Sequence, residues 1–291
     1  MSYRIRAAVR LEDGKPADAI ADCTQALQLA PDDLLTWGLR GEAHQTSAAF
    51  DRAIHDYTQV IRLDPKHWEA YLKRAEVYRS LALEREEFDE ETKTAYEKSV
   101  LDCNEALRLK PKHQIALEIR CQNCYALGQR NQALADATAA VELNDKSWAG
   151  YHIRGQCYLD RKDYEKASSD FTQAIKLNAK DNISYRGRGM ARTHLKNYKS
   201  AFDDLTIAIN LHKEAFGTAD GDAHYYRGCL HNIAKNYESA LGDLTIAIGK
   251  LPKFAKAYVE RGRAYYGLKR AAQGKADYDR AVKLDPNALK E

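Results

Sequence analysis

Tyr151-His-Ile-Arg-Gly-Gln-Cys-Tyr158, followed downstream by Ala167-Ser-Ser-Asp-Phe-Thr-Gln-Ala174, decides how this chain folds. Tyr151, Gly155 and Tyr158 fall at i, i+4 and i+7, one face of a helix, and Ala167, Phe171 and Ala174 repeat that spacing. Two helices approach closely only where neither presents bulk, so Gly155 and Ala167 mark the crossing of an antiparallel hairpin. Working outward, the end of the second helix recurs as Ala26-Leu27, Val60-Ile61, Ala106-Leu107, Ala140-Val141, Ala174-Ile175, Ala208-Ile209, Ala247-Ile248 and Ala281-Val282. The steps are 34, 46, 34, 34, 34, 39 and 34 residues, a fixed period broken by insertions of 12 and 5. Fixed self-similarity at this length is the mark of a stacked-repeat architecture.

The small residues repeat as well. First helices carry Ala7, Gly41, Ala75, Cys121, Gly155, Gly189, Gly228 and Gly262; second helices carry Ala19, Ala53, Ser99, Ala133, Ala167, Ala201, Ala240 and Gly274. Large residues such as Trp37, Tyr71, Tyr151, Tyr185 and Tyr258 fill the space between hairpins. Pro31, Pro65, Pro111, Pro252 and Pro286 stand just past second helices, where proline stops a helix harmlessly. This pattern resembles the tetratricopeptide repeat family over essentially the whole chain, with the first repeat departing most, since Arg10 occupies a usual aromatic position. The resemblance implies an all-α fold: a right-handed superhelical solenoid of tandem antiparallel helix pairs whose first helices line a concave face. The chain is then one solenoid of eight repeats, at 1–33, 34–67, 68–113 (insertion 83–94), 114–147, 148–181, 182–220 (loop insertion 212–222), 221–254 and 255–291.

A second regularity is electrostatic. An arginine precedes each small residue of the first helix: Arg6, Arg40, Arg74, Arg120, Arg154, Arg188, Arg227 and Arg261. An aspartate follows each small residue of the second helix by three: Asp22, Asp56, Asp102, Asp136, Asp170, Asp204, Asp243 and Asp277. In an antiparallel hairpin these positions lie near one level, so they read as Arg–Asp pairs within a repeat or between neighbours. A planar guanidinium meets a carboxylate with two bonds, which favours arginine over lysine at every copy. The alternative, a basic track for phosphate or an acidic peptide, is opposed by the matched aspartates.

Composition narrows the function. The 45 basic and 42 acidic side chains leave a net charge of only +3, without the basic excess usual in nucleic-acid binders. No apolar run is long enough to cross a membrane, and Met1-Ser-Tyr-Arg-Ile-Arg is not followed by a secretory core, so a cytoplasmic protein is expected. The six cysteines, including Cys121-Gln-Asn-Cys124, Cys23 and Cys103, sit at core positions and read as reduced thiols, not as a metal or redox site. His44 and His231 share the register of Tyr78 and Tyr158 and are expected to pack. No Gly-rich phosphate loop, HExxH or GxSxG occurs, so no catalytic residue, metal or cofactor is expected.

The expected function is therefore a scaffold that binds a peptide segment of a partner protein in its concave groove. Inward positions of repeats three and four give Glu69, Leu72, Glu76, Glu118, Gln122 and Tyr125. Repeats five to eight give His152, Gln156, Arg186, Met190, His194, Tyr225, Lys256, Arg263 and Tyr266, a basic and aromatic set that is the candidate peptide-binding site. Members of the family that grip a chaperone's C-terminal carboxylate carry a Lys/Asn set; Gly38/Glu42, Leu72/Glu76, Glu118/Gln122 and His152/Gln156 do not match it. Two other readings stand. One is a self-associating solenoid, a homo-oligomer formed through the last repeat, whose face of Tyr278, Ala281 and Val282 has no capping helix before Glu291. The other, less favoured, is nucleic-acid binding. The acidic insertion Leu83–Thr94 is expected to lengthen the third hairpin, and the insertion around His212–Asp222 to form a loop that hinges the last two repeats.

Overall fold

A computed structural model describes residues 3–85 and 87–290. Among them the regular structure is entirely helical, sixteen helices paired as hairpins. The first four hairpins are α1 (Tyr3–Glu12) with α2 (Pro16–Leu29), α3 (Leu34–Thr46) with α4 (Phe50–Leu63), α5 (Trp68–Leu83) with α6 (Glu90–Leu109), and α7 (Gln114–Ala126) with α8 (Arg130–Leu143). The next four are α9 (Trp148–Asp160) with α10 (Tyr164–Leu177), α11 (Asn182–His194) with α12 (Tyr198–Phe216), α13 (Gly221–Ile233) with α14 (Tyr237–Lys250), and α15 (Ala255–Gly267) with α16 (Ala271–Leu284). The chain divides into two compact units, Met1–Asp145 and Lys146–Glu291, each a stack of four hairpins.

Local signals set the helix ends. His67, Asp89, His113, Ser147, Asp163, Asp181 and Asp220 each accept a backbone N–H of the first turn, the usual device for satisfying an orphan donor. The turn inside most hairpins ends the first helix on a left-handed residue: Gly14, Ala48, Gly128, Lys162, Lys196, Lys235 or Lys269. The amide after it bonds back across the last turn, as in Asp163 to the Tyr158 carbonyl (2.9 Å) and Asn197 to that of Arg192 (2.9 Å).

Packing follows the small residues. Ala7, Ala19, Ala53, Ala75, Ala133, Ala167, Ala201 and Ala240 are fully buried at the crossings. Where the first helix carries glycine, a large residue of the second fills the space, four positions after that helix's small residue. The Phe171 ring on α10 is completely buried between the bare backbones of Gly155 on α9 and Gly187 on α11. Leu205 lies against Gly189, Leu244 against Gly228 and Tyr278 against Gly262 in the same way.

Both insertions extend helices. The first lengthens α5 and α6 to 16 and 20 residues, as the acidic, helix-favouring composition predicts; Glu86 within it lies outside the described residues. The second corrects the expectation of a loop: His212–Phe216 continue α12, and only 217–220 are irregular, closed by Gly217 at φ 65°. His212 stays on the helix because its Nδ1 lies 3.2 Å from Asn182 Nδ2 and its ring packs on Phe216. The last repeat is also better covered than its sequence suggests. Ala281 is fully buried and Tyr278 half-buried, the following turn buries Ala288 in the same cluster, and only Val282 of the three is exposed.

The Phe171 contact yields a test. A Cβ at Gly187 would lie 2.4 Å from Phe171 Cζ, so Gly187→Ala should cost about 1–3 kcal/mol through overpacking, read as a lower urea midpoint at an unchanged slope.

Candidate functional site

Each first-helix arginine reaches across its own hairpin to the aspartate on the second helix. In all eight, Nε donates to Oδ2 and Nη2 to Oδ1, at 2.6–2.9 Å. The pairs are thus within repeats, one of the two arrangements left open by the sequence. The aspartates are at most 6% exposed, so both carboxylate oxygens depend on these bonds. The Arg6 hydrogen bond holds the Asp22 carboxyl below its usual range. Burial would raise Asp243, but hydrogen bonds from Arg227 and His224 outweigh it and hold that carboxyl low. At Asp102 burial wins over Arg74, and the carboxyl is raised.

The third guanidinium nitrogen does something the sequence reading missed. Nη1 donates to the preceding hairpin: Arg40 to Thr24 (3.4 Å), Arg74 to Thr58 (2.9 Å), Arg120 to Asn104 (2.8 Å), Arg188 to Thr172 (3.2 Å), Arg227 to Thr206 (3.4 Å) and Arg261 to Thr245 (3.4 Å). Every acceptor lies two residues after a ladder aspartate, so the signal was present in the sequence. Thr24, Thr58 and Thr172 give their own hydroxyl protons to the carbonyls of Ile20, Ile54 and Ser168, leaving lone pairs for the arginine. Aromatic rings three residues earlier, Trp37, Tyr71, Tyr151, Tyr185 and Tyr258, lie within 4.6–5.9 Å of the same guanidinium carbons.

The inner layer of each stack is made by the first helices: α9, α11, α13 and α15 approach one another in turn, and no two second helices come as close, among the described residues. Here three of the candidate site residues prove to be struts. His152 Nδ1 lies 3.0 Å from Asp181 Oδ2 and 2.9 Å from Ser184 Oγ at the start of α11. Arg186 Nη1 donates to both oxygens of Asp220, the N-cap of α13, at 3.1 and 3.0 Å. Tyr225 is 8% exposed and packs edge-on against Phe254. Their side chains join one first helix to the next, as Arg4 does with Asp33 in the other unit.

The remaining candidates sit on the same layer. Gln156 and Met190 are half-buried, and Lys256 is exposed. His194 stacks on Tyr164 at 4.3 Å and 8°. Arg263 pairs with Glu260 while staying 51% exposed. Tyr266 is 42% exposed and leans on Tyr278 over Gly274. In the first unit Glu76 pairs with Lys73, Glu118 accepts from Gln114, Gln122 accepts from Arg79, and Leu72 is buried.

Comparison with known proteins agrees with this geometry. Three family profiles, each described as tetratricopeptide repeat, match residues 39–113, 148–181 and 255–288. The chain belongs to the tetratricopeptide repeat family. Among curated relatives, sperm-associated antigen 1A of Danio rerio is 40% identical over 62 residues, 21% of this chain and 14% of that protein. The chain therefore matches only a small part of that relative's length. Among solved structures, a tetratricopeptide repeat protein from Parabacteroides merdae covers 96% of this chain and 97% of its own at 18% identity, with a TM-score of 0.58. The Cut9–Hcn1 complex of the APC/C covers 98% and 53% at 14% identity (TM-score 0.63), and YrrB 65% and 91% at 19% (TM-score 0.52). At these identities the likeness is one of fold.

The other chemistry-bearing side chains of this tetratricopeptide repeat chain are occupied by packing. Cys121 and Cys124 are buried on α7, and burial pushes the Cys124 thiol up to about 11 and that of Cys23 to about 12. Among the described residues no cluster of three His, Cys, Asp or Glu is placed to hold a metal. His44 is buried with its Nε2 3.8 Å from Asp56, and His231 is half-buried at the same distance from Asp243.

Two outcomes follow from these contacts. Asp170→Ala leaves Arg154 without its two bonds and should cost on the order of 3 kcal/mol, with faster amide exchange in α9 and α10; an unchanged thermal midpoint contradicts the pairing. Burial lowers the pKa of His44 and of His231, only partly opposed by Asp56 and Asp243. A depressed histidine contributes stability that is complete above the unfolded value of about 6.5 and is lost as pH falls through the folded value. The thermal midpoint should therefore drop from pH 7 to pH 5, and His44→Tyr, borrowing the residue found at Tyr78 and Tyr158, should flatten the slope.

Proposed function

We propose that the chain is a non-catalytic scaffold that holds an extended or helical segment of a partner protein against the inner layer of first helices. The observation that carries this reading is which side chains of the inner layer stay exposed. All eight ladder arginines spend their charge on aspartates of the same hairpin. With His152, Arg186 and Tyr225 acting as struts, the candidates that stay exposed are His194, Lys256, Arg263 and Tyr266, with Gln156 and Met190 half-buried. They form a mixed basic and aromatic strip of the kind that anchors interfaces. That family members act broadly as protein-interaction scaffolds supports it, as does the description of YrrB as having an unusual peptide-binding site. The free cysteines, five of the six buried, fit a reducing compartment such as the cytoplasm.

Self-association through the last repeat is the weaker reading, since the chain's own turn covers much of that face. No described helix is long and apolar enough to cross a membrane.

The test is capture of partners by the intact chain and by a variant carrying Lys256→Glu, Arg263→Glu and Tyr266→Ala. These exposed positions leave the ladder and struts intact. A bound partner should lose about 30-fold or more in affinity at an unchanged thermal midpoint; undiminished binding overturns the groove assignment. Between 50 and 200 mM salt the parent affinity should change little, whereas a loss of about a thousandfold assigns the strip to phosphate instead.

A further inference from the structure

The inner layer of the first unit has a gap. The position three before each small residue of the first helices carries Arg4, Gly38, Leu72, Glu118, His152, Arg186, Tyr225 and Val259. Arg4, His152, Arg186 and Tyr225 each send a side chain to the start of the next first helix. Gly38 has none to send. A Cβ built there meets no atom within 4 Å. Among the described residues, α3 and α5 are also the neighbouring first helices within a unit whose backbones approach least.

Between them lies a cavity of about 290 Å³. Leu34, Leu39, Tyr57 and Val60 line it with Gly38, and Leu35 beside them is 60% exposed. The size is at the low end for a small-molecule site, where roughly 300–1,000 Å³ is usual; it suits one large side chain entering with its backbone outside. The rim is acidic. Glu42 and Glu69 border the cavity with Lys73, whose ammonium is already 3.2 Å from Glu76. His67 Nδ1 accepts the Ala70 amide at 3.2 Å and lies 3.5 Å from Glu69 Oε2.

We propose that this cavity takes a single large apolar side chain, leucine or phenylalanine, from a partner segment that carries lysine or arginine beside it. The apolar walls bury the side chain and the rim carboxylates Glu42 and Glu69 select the neighbouring cation. The site shares with the scaffold reading the idea of a peptide on the inner layer. It lies in the other unit, so the two stand or fall separately.

Gly38→Leu tests it cleanly, because the added side chain enters open space in a helix that gains propensity. Its thermal midpoint should be no lower than the parent's. A random dodecapeptide phage library is panned on the intact chain, and the enriched peptides are synthesised with a fluorescent label. The enriched peptides should share a large apolar residue with Lys or Arg within three positions. They should lose at least about tenfold in affinity for Gly38→Leu, and several-fold for Glu42→Lys with Glu69→Lys. No enrichment, or enriched peptides without the apolar–basic pair, overturns the proposal. So does equal binding to parent and Gly38→Leu; if those peptides fail on the Lys256, Arg263 and Tyr266 variant, the groove of the second unit stands while this pocket does not. A concentration-dependent mass that Gly38→Leu abolishes gives the pocket to a second copy of the chain and likewise overturns the proposal.

Discussion

A guanidinium held by both oxygens of a buried carboxylate is the interaction on which each hairpin depends. The aspartates are too deeply buried to remain charged without partners, and the arginines supply two parallel bonds each. Because the third nitrogen turns to a threonine or asparagine of the preceding hairpin, one side chain fixes both the crossing within a repeat and the register between repeats. Lysine cannot replace it: a point charge lacks the fork that reaches two carboxylate oxygens and a hydroxyl at once. The small residues permit the close approach; the arginine fixes its level.

The division of labour along the first helices explains why a basic strip in such a chain is a poor guide to binding. One row of side chains, the ladder, is consumed within the repeat. A second row, two residues earlier and on the inner face, is consumed between repeats wherever it finds an N-cap carboxylate, as Arg186 finds Asp220 and His152 finds Asp181. Side chains one turn later, such as Arg263, or near the helix end, such as Tyr266, keep substantial exposure, as does Lys256 at the start of α15.

The fold was readable from the sequence because period, small residues and proline stops are local signals that repeat, and each copy checks the others. The Arg–Asp partnership was readable for the same reason. Less was visible at the site. That Arg186 is a strut depends on where Asp220 arrives after an insertion, and the insertion's helical continuation through Phe216 was hidden by Gly217-Thr-Ala-Asp-Gly221. The threonine acceptors were overlooked because a residue two after an aspartate faces away from its own hairpin and acquires meaning only when the next one is stacked on it. Gly38 reads as an ordinary helix-weakening glycine until the gap between α3 and α5 is seen.

The left-handed turn residues have a consequence of a different kind. At Ala48, Lys162, Lys196, Lys235 and Lys269 an L side chain is held at φ between 54° and 61°, each at a cost of roughly 1–2 kcal/mol. These positions lie at the far ends of the hairpins from the caps that join one repeat to the next, and they touch neither ladder nor struts. The chain thus carries an unused reserve of stability spread over five bends. How tightly these bends are set and which side chains the first helices leave exposed are written in separate residues, so either can drift without the other.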